Sequence, residues 1–274
     1  AATISGIDVI LTGHTHDAIP QAIKINDTLL LSSGSHGKYL GRIDLKVDGG
    51  RVVDAVSTLI PVFSDVIMPD VEMAAHIDQL RTPYQAECNR VIGKAGSLLY
   101  RRGNFNGSWD DVICDAIRTE RDVEIALSPG FRWGTTLLSG QDITIDDMYS
   151  QTSMNYPAVY RMEFTGKQLK AILEDVCDNL FNPDPFYQQG GDMVRVGGIS
   201  YRCSPKAAIG SRINDMVLTR TGALIEAEKK YTVGGWASVN PDTQGPAIYD
   251  LLESYIIAQR VVTPSGDQSV IIEG

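Results

Sequence analysis

Two histidines one residue apart, His14 and His16, follow a short apolar run, Val9-Ile10-Leu11, that ends at Thr12-Gly13. A buried strand that stops at a glycine turn throws the next side chains from its carboxyl end into the crevice where open α/β sheets place ligands. His-x-His in an extended turn cannot set both rings on one ion as His-x-x-x-His does on a helix. It can offer one nitrogen to each of two adjacent ions. Imidazole suits borderline divalent metals such as Mn, Fe or Zn, and a close pair of such ions can clamp an in-line displacement at phosphorus or sulfur. A pair of loop histidines with no ion is the competing reading. Asp17 fits either a turn residue or a carboxylate that orients a histidine ring.

Two further segments offer a grip on an anion. Arg132 follows the turn Ser128-Pro129-Gly130, and Arg195 stands in the glycine-rich run Gly190-Gly191-Asp192-Met193-Val194-Arg195-Val196-Gly197-Gly198. A guanidinium on such a loop can hold a sulfonate or phosphate through two parallel hydrogen bonds, or it can form an ordinary surface ion pair. Asp192 can orient an arginine or face solvent, and Gly190 and Gly191 can admit a close backbone or simply serve a turn. Trp236 and Asn240 can shape an entrance, with core packing as the other role for the indole. His36, between Gly34 and Gly37, can donate to substrate oxygens or be a satisfied loop residue; His76 reads as a helix residue.

Positioning these groups requires a mixed α/β fold. Residues 1–64 alternate strands and turns, with a buried strand before Gly13, a strand at 28–31, and a hairpin of 40–47 and 52–60 around Asp48-Gly49-Gly50. Asp70 reads as the N-cap of a long helix to Asn89, bent near Pro83, so residues 65–90 form a connector. Residues 91–274 read as an α+β domain. Its helices lie at 109–118 (capped by Ser108), from 144, from 165 and at 246–260. Its strands lie at 123–127, 159–164, 198–202, 213–220 and 231–235.

The formal charge of −10 and the lack of a basic run argue against non-specific nucleic-acid binding. No apolar run reaches membrane-spanning length. Cys88, Cys114, Cys177 and Cys203 form no Cys-x-x-Cys pair, which speaks against a zinc knuckle or a thioredoxin-like site. Buried free thiols and a single disulfide in an exported protein both fit.

Gly13-His14-Thr15-His16 resembles the last motif of the calcineurin-like metallophosphoesterases, in the subfamily that includes the 5′-nucleotidases. Residues 32–45 resemble that subfamily's closing strands, residues 128–132 fall at its Gly-Gly-Ile-Arg substrate loop, and residues 191–198 resemble its second substrate segment. The forms Gly-His-Thr-His-Asp-Ala, Ser-Pro-Gly-Phe-Arg-Trp-Gly and Gly-Gly-Asp-Met-Val-Arg-Val-Gly-Gly are most similar to the SoxB family, the thiosulfohydrolases of bacterial sulfur oxidation.

The resemblance implies the C-terminal part of a metallophosphoesterase β-sandwich, joined by a helix to a 5′-nucleotidase-like α/β domain. It implies two Mn(2+) ions, or other divalent metals, one on His14 and one on His16, with a bridging water or hydroxide as nucleophile. Arg132, Arg195, Asp192, Gly191, Trp236, Asn240 and His36 would serve the substrate, a cysteine-linked thiosulfonate on the carrier protein SoxYZ. A periplasmic monomer follows from the same likeness. The family's earlier ligand motifs do not occur here, so the chain is expected to be the C-terminal part of a longer enzyme and inactive alone. Nucleotidases stack a base between two aromatic rings; Met193 and Ser238 stand at those places, which argues against a nucleobase pocket. A nucleotide phosphohydrolase and a substrate-binding module without catalysis are the alternatives.

Overall fold

A computed structural model describes residues 1–101, 103–132, 134–188, 191–266 and 270–273. Gly190 therefore lies outside the described residues. The chain divides into two compact units, Ala1–Thr82 and Pro83–Gly274. The boundary falls inside the helical stretch, so the first part of that stretch belongs with the smaller unit.

The smaller unit opens with three strands, β1 (Val9–Thr12), β2 (Ile23–Ile25) and β3 (Thr28–Ser32). They form one sheet in the order β1-β3-β2, with β1 parallel to β3 from Val9↔Leu29 to Thr12↔Ser32. The sequence predicted a buried, internal strand at β1. It is instead an edge strand among the described residues, and Leu11 is 75 % exposed. An edge strand has one neighbour, and the side chains described in this unit leave Leu11 uncovered. The hairpin of β4 (Tyr39–Asp48) and β5 (Arg51–Pro61) turns at Gly49 and Gly50, both at positive φ, as a tight two-residue turn requires.

Helix α1 (Val71–Arg81) starts where Asp70 predicted, its carboxylate accepting the Met73 N–H at 2.8 Å. A single 3-10 turn containing Pro83 separates it from the short α2 (Gln85–Cys88), because proline cannot donate to the helical ladder. None of the α1 residues is buried.

The larger unit contains β6 (Val91–Ala95), α3 (Ser108–Arg121), β7 (Ile125–Ser128), β8 (Asp142–Thr144) and α4 (Ile145–Thr152). Then come β9 (Tyr160–Thr165), α5 (Gly166–Leu180), β10 (Arg195–Gly197), β11 (Ile199–Cys203), β12 (Ile213–Leu218) and β13 (Lys230–Gly235). Helix α6 (Ile248–Gln259), β14 (Val261–Val262) and β15 (Val270–Ile272) complete it. The strands form three sheets, ordered β10-β7-β13-β9, β12-β11-β15 and β14-β6-β8.

Thr144 and Thr165 each cap a helix through a reciprocal bond with the residue three positions on, Asp147 and Gln168. Ser108 does not cap α3 as predicted. Gly107 holds the N-cap position, and the Ser108 hydroxyl donates to the Leu98 carbonyl and accepts the Tyr100 N–H. Apolar residues at helical spacing, Trp109, Val112, Ile113, Ala116 and Ile117, press α3 into a core shared with α6. A second core lies between α5 and strands β11, β12 and β13, around Leu169, Leu173, Tyr201 and Val233.

Candidate functional site

Parallel pairing of β1 with β3 sets their carboxyl ends side by side, so the loops that follow, 13–17 and 33–38, leave from the same edge. The Asp17 carbonyl ties them by accepting the Ser32 hydroxyl at 2.7 Å and the Gly34 N–H at 2.8 Å. Asp17 thus serves the turn through its backbone. His16 and His36 both sit at positive φ, and their rings meet edge to face with centroids 6.2 Å apart. His14 is exposed on the same turn. Among the described residues no three His, Cys, Asp or Glu side chains converge to hold an ion. Imidazole nitrogens are donors of the kind the expected metals take.

The anion-gripping candidates assemble in the larger unit. Antiparallel pairing of β10 with β7 aligns Arg195 with Ser128, which brings the loop after β7 against the segment before β10. Gly130 makes the approach possible: a Cβ there would lie 2.4 Å from the Met193 carbonyl oxygen and 2.8 Å from the Asp192 Cβ. Arg132 then meets Asp192, Nε to Oδ2 at 3.1 Å, with 18 % of the arginine side chain exposed. Gly191, at φ +98°, turns the chain just before that carboxylate.

Behind this pair lies a row of alternating buried charges. Asp192 Oδ2 stands 3.5 Å from Arg195 Nη2, Arg195 Nε stands 3.2 Å from Asp110 Oδ2, and Arg101 Nε donates to Asp110 Oδ1 at 2.7 Å. Arg101, Asp110 and Arg195 side chains are all 0 % exposed. Burial pushes the Asp110 carboxyl up from the usual carboxylate range, opposed by Arg101 and Arg195. Burial also lowers Arg101, opposed by Asp110.

Arg101 also holds the Arg132 loop. Its guanidinium donates to the Pro129 carbonyl at 3.1 Å and lies 4.8 Å from the Phe131 ring centroid. Phe131 packs edge to face on Trp236, whose indole N–H donates to the Ser128 hydroxyl at 2.8 Å.

The sequence grouped Arg195 and Trp236 with the substrate-contacting residues. The structure buries both: Arg195 donates to the Gly103 carbonyl at 2.6 Å and pairs with two aspartates, and Trp236 is core packing under the Arg132 loop. Each supports residues nearer the surface. Asn240 shapes its own turn, its side-chain oxygen accepting the Asp242 N–H at 3.0 Å. Met193 is fully buried, and Ser238 Oγ accepts the Asn240 N–H at 3.3 Å.

Sequence reading missed Arg101 and Asp110. One signal was available: Asp110 precedes Ile113 by three residues and Ile117 by seven, so it lies on the buried stripe of α3. An acid there needs a cation.

A mixed α/β unit with an arginine-bearing loop between β7 and β8 defines the class. The 5′-nucleotidase C-terminal domain family matches residues 92–240, and the chain belongs to it. The sulfate thiohydrolase SoxB of Thermus thermophilus, solved with glycerol, resembles it over 99 % of this chain and 51 % of that one, with a TM-score of 0.92 and 32 % identity.

A 5′-nucleotidase precursor, also from Thermus thermophilus, shares the fold, with a TM-score of 0.79 and 19 % identity over 99 % of this chain and 61 % of that one. Among curated proteins, endonuclease YhcR of Bacillus subtilis is 25 % identical over 93 % of this chain and 21 % of its own length. The chain spans about half the length of the SoxB structure and about a fifth of the endonuclease. These relatives are hydrolases by name. Among the described residues no helix is long and apolar enough to cross a membrane.

Proposed function

We propose that this chain is the substrate-binding part, with two metal ligands, of a SoxB-like thiosulfohydrolase acting on a cysteine-linked thiosulfonate carried by SoxYZ in the periplasm. The observation that carries this reading is the 32 % identity and TM-score of 0.92 to SoxB across 99 % of the chain. In the reaction, water oxygen bonds to the terminal sulfonate sulfur and the sulfur–sulfur bond breaks. Sulfate is released, and the electron pair stays with the carrier's sulfur.

His14 and His16 would hold two divalent ions, manganese by family likeness, with the remaining ligands supplied by residues outside this chain. The ions, when bound, supply the Lewis acidity that makes water nucleophilic near neutral pH. Arg132 binds the sulfonate oxygens by charge-assisted hydrogen bonds and stabilises the negative charge that builds on them. Asp192 fixes the Nε edge of that guanidinium, and Gly191 allows the turn that places Asp192. His36, whose ring meets that of His16, would donate to an oxyanion of the substrate. Exposed apolar side chains on the smaller unit, such as Leu11 at 75 % and Val71 at 83 %, support the view that further polypeptide covers it in the working monomeric enzyme.

A nucleotide phosphohydrolase is the second reading, favoured by the name of the family and by the Bacillus endonuclease. Met193 has no ring to stack a base at that position, and it is buried. The whole enzyme assayed with AMP and with thiosulfonate-loaded carrier separates the two. Sulfate release from the carrier with little phosphate from AMP is expected; AMP hydrolysis without sulfate release would overturn the first reading.

A further inference from the structure

Cys177 and Cys203 stand apart from the site described above. Cys177 lies in the last turn of α5, and Cys203 ends β11; both are fully buried in the second core. Their sulfurs lie 3.5 Å apart, although the residues are separated by 26 positions in sequence. Helix α5 is tied to the start of β12, whose Ile213 pairs with Cys203 on β11. Glu174, one turn earlier on α5, accepts the backbone N–H groups of Arg212 and Ile213, both at 2.9 Å, and Asp178 pairs with the Arg212 guanidinium. Closing the sulfurs from 3.5 Å to a bond of roughly 2.0 Å takes a movement of about 1.5 Å.

We propose that Cys177 and Cys203 are partners in a disulfide that forms when the chain folds in an oxidising compartment. A thiolate of one attacks the disulfide of a thiol–disulfide exchange partner, and the second then displaces that partner from the mixed disulfide. The two cysteines lose two protons and two electrons, the partner's disulfide is reduced to two thiols, and one sulfur–sulfur bond joins α5 to β11.

Burial raises both thiols above their ordinary range, so reactive thiolate is scarce once the domain has closed. The bond therefore forms while α5 and β11 are still accessible, and the same burial later shields it from reductant. The enclosed stretch carries Asp192 and Arg195, so the bridge would restrain the segment that supports Arg132. Cys114, on α3 in the first core, and half-buried Cys88 lie in other surroundings and take no part.

The test refolds the full 274-residue chain in a mixture of oxidised and reduced glutathione and, separately, in dithiothreitol. Each sample is then denatured, alkylated and peptide-mapped without reduction. A linked pair of peptides containing Cys177 and Cys203, lighter by two hydrogens, is expected, with Cys88 and Cys114 alkylated. The oxidised sample should melt roughly 5–15 °C above the reduced one, as expected for a loop of this length in a unit of this size. Cys203→Ser should abolish the difference between the two conditions. Four alkylated cysteines after oxidative refolding, or a bridge that involves Cys88 or Cys114, would overturn the proposal.

Discussion

Replacing Asp110 by asparagine alters one buried charge and almost no volume. The native row holds Arg101, Asp110, Arg195, Asp192 and Arg132 in alternating sign. In the Asp110→Asn variant, two guanidiniums that are 0 % exposed both lose the carboxylate they share, and Asp192 remains beside Arg195. Removing one member of a buried ion pair costs about 3–5 kcal/mol, because the remaining charge stays desolvated. In a unit of this size each kcal/mol lowers Tm by roughly 2–4 °C, so a fall of about 6–20 °C follows.

Arg195→Met is the informative comparison. It leaves Arg101 with Asp110 and Arg132 with Asp192, two neutral pairs, and sacrifices mainly the bond to the Gly103 carbonyl. Its cost should be about 1–3 kcal/mol. Urea denaturation followed by near-UV circular dichroism measures both variants. An Arg195→Met variant as unstable as Asp110→Asn, or an Asp110→Asn variant within about 1 kcal/mol of the parent, would refute the argument from charge alternation.

Gly130→Ala drives a Cβ to 2.4 Å from the Met193 carbonyl and must separate the two loops; a stability loss of about 1–3 kcal/mol is expected, with weaker substrate binding by the whole enzyme in steady-state kinetics. Arg132→Lys removes the planar fork and should raise KM for the thiosulfonate carrier substrate more than it disturbs folding; an unchanged KM would release Arg132 from its role. Titration of the chain with Mn(2+) by calorimetry should show weak binding that His14→Ala and His16→Ala both abolish, whereas two tightly held ions would contradict an incomplete metal centre. The exposed carboxylates of Glu87, bonded to Arg90, and of Glu273, bonded to Ser204 and Arg202, are held below the ordinary glutamate range. A lowered folded-state pKa means that any stability they add is present above their unfolded value and fades as pH falls through the folded one. Carboxyl NMR titration that finds either group at or above its ordinary value would contradict this.

Much of the chain was legible without coordinates. Periodicity and capping chemistry placed α1, α4, α5 and the β4–β5 hairpin, because Asp70, Thr144, Thr165 and the Gly49-Gly50 turn act on their immediate neighbours. The motif order around His14, Arg132 and Arg195 located the family, since glycine spacing and residue type survive in one dimension. Tertiary structure alone decided burial and partnership. Leu11 lies in an apolar run that reads as core, yet it sits on an edge strand and is exposed. Arg195 reads as a ligand for solvent-borne anions, yet it is sealed between Asp110 and Asp192. Asp110, in the first turn of α3, anchors Arg101, which in turn grips the loop that carries Arg132. Local rules depend on a few adjacent residues. Whether a buried arginine is stable there depends on which carboxylate, many residues away, the folded backbone brings within hydrogen-bonding distance.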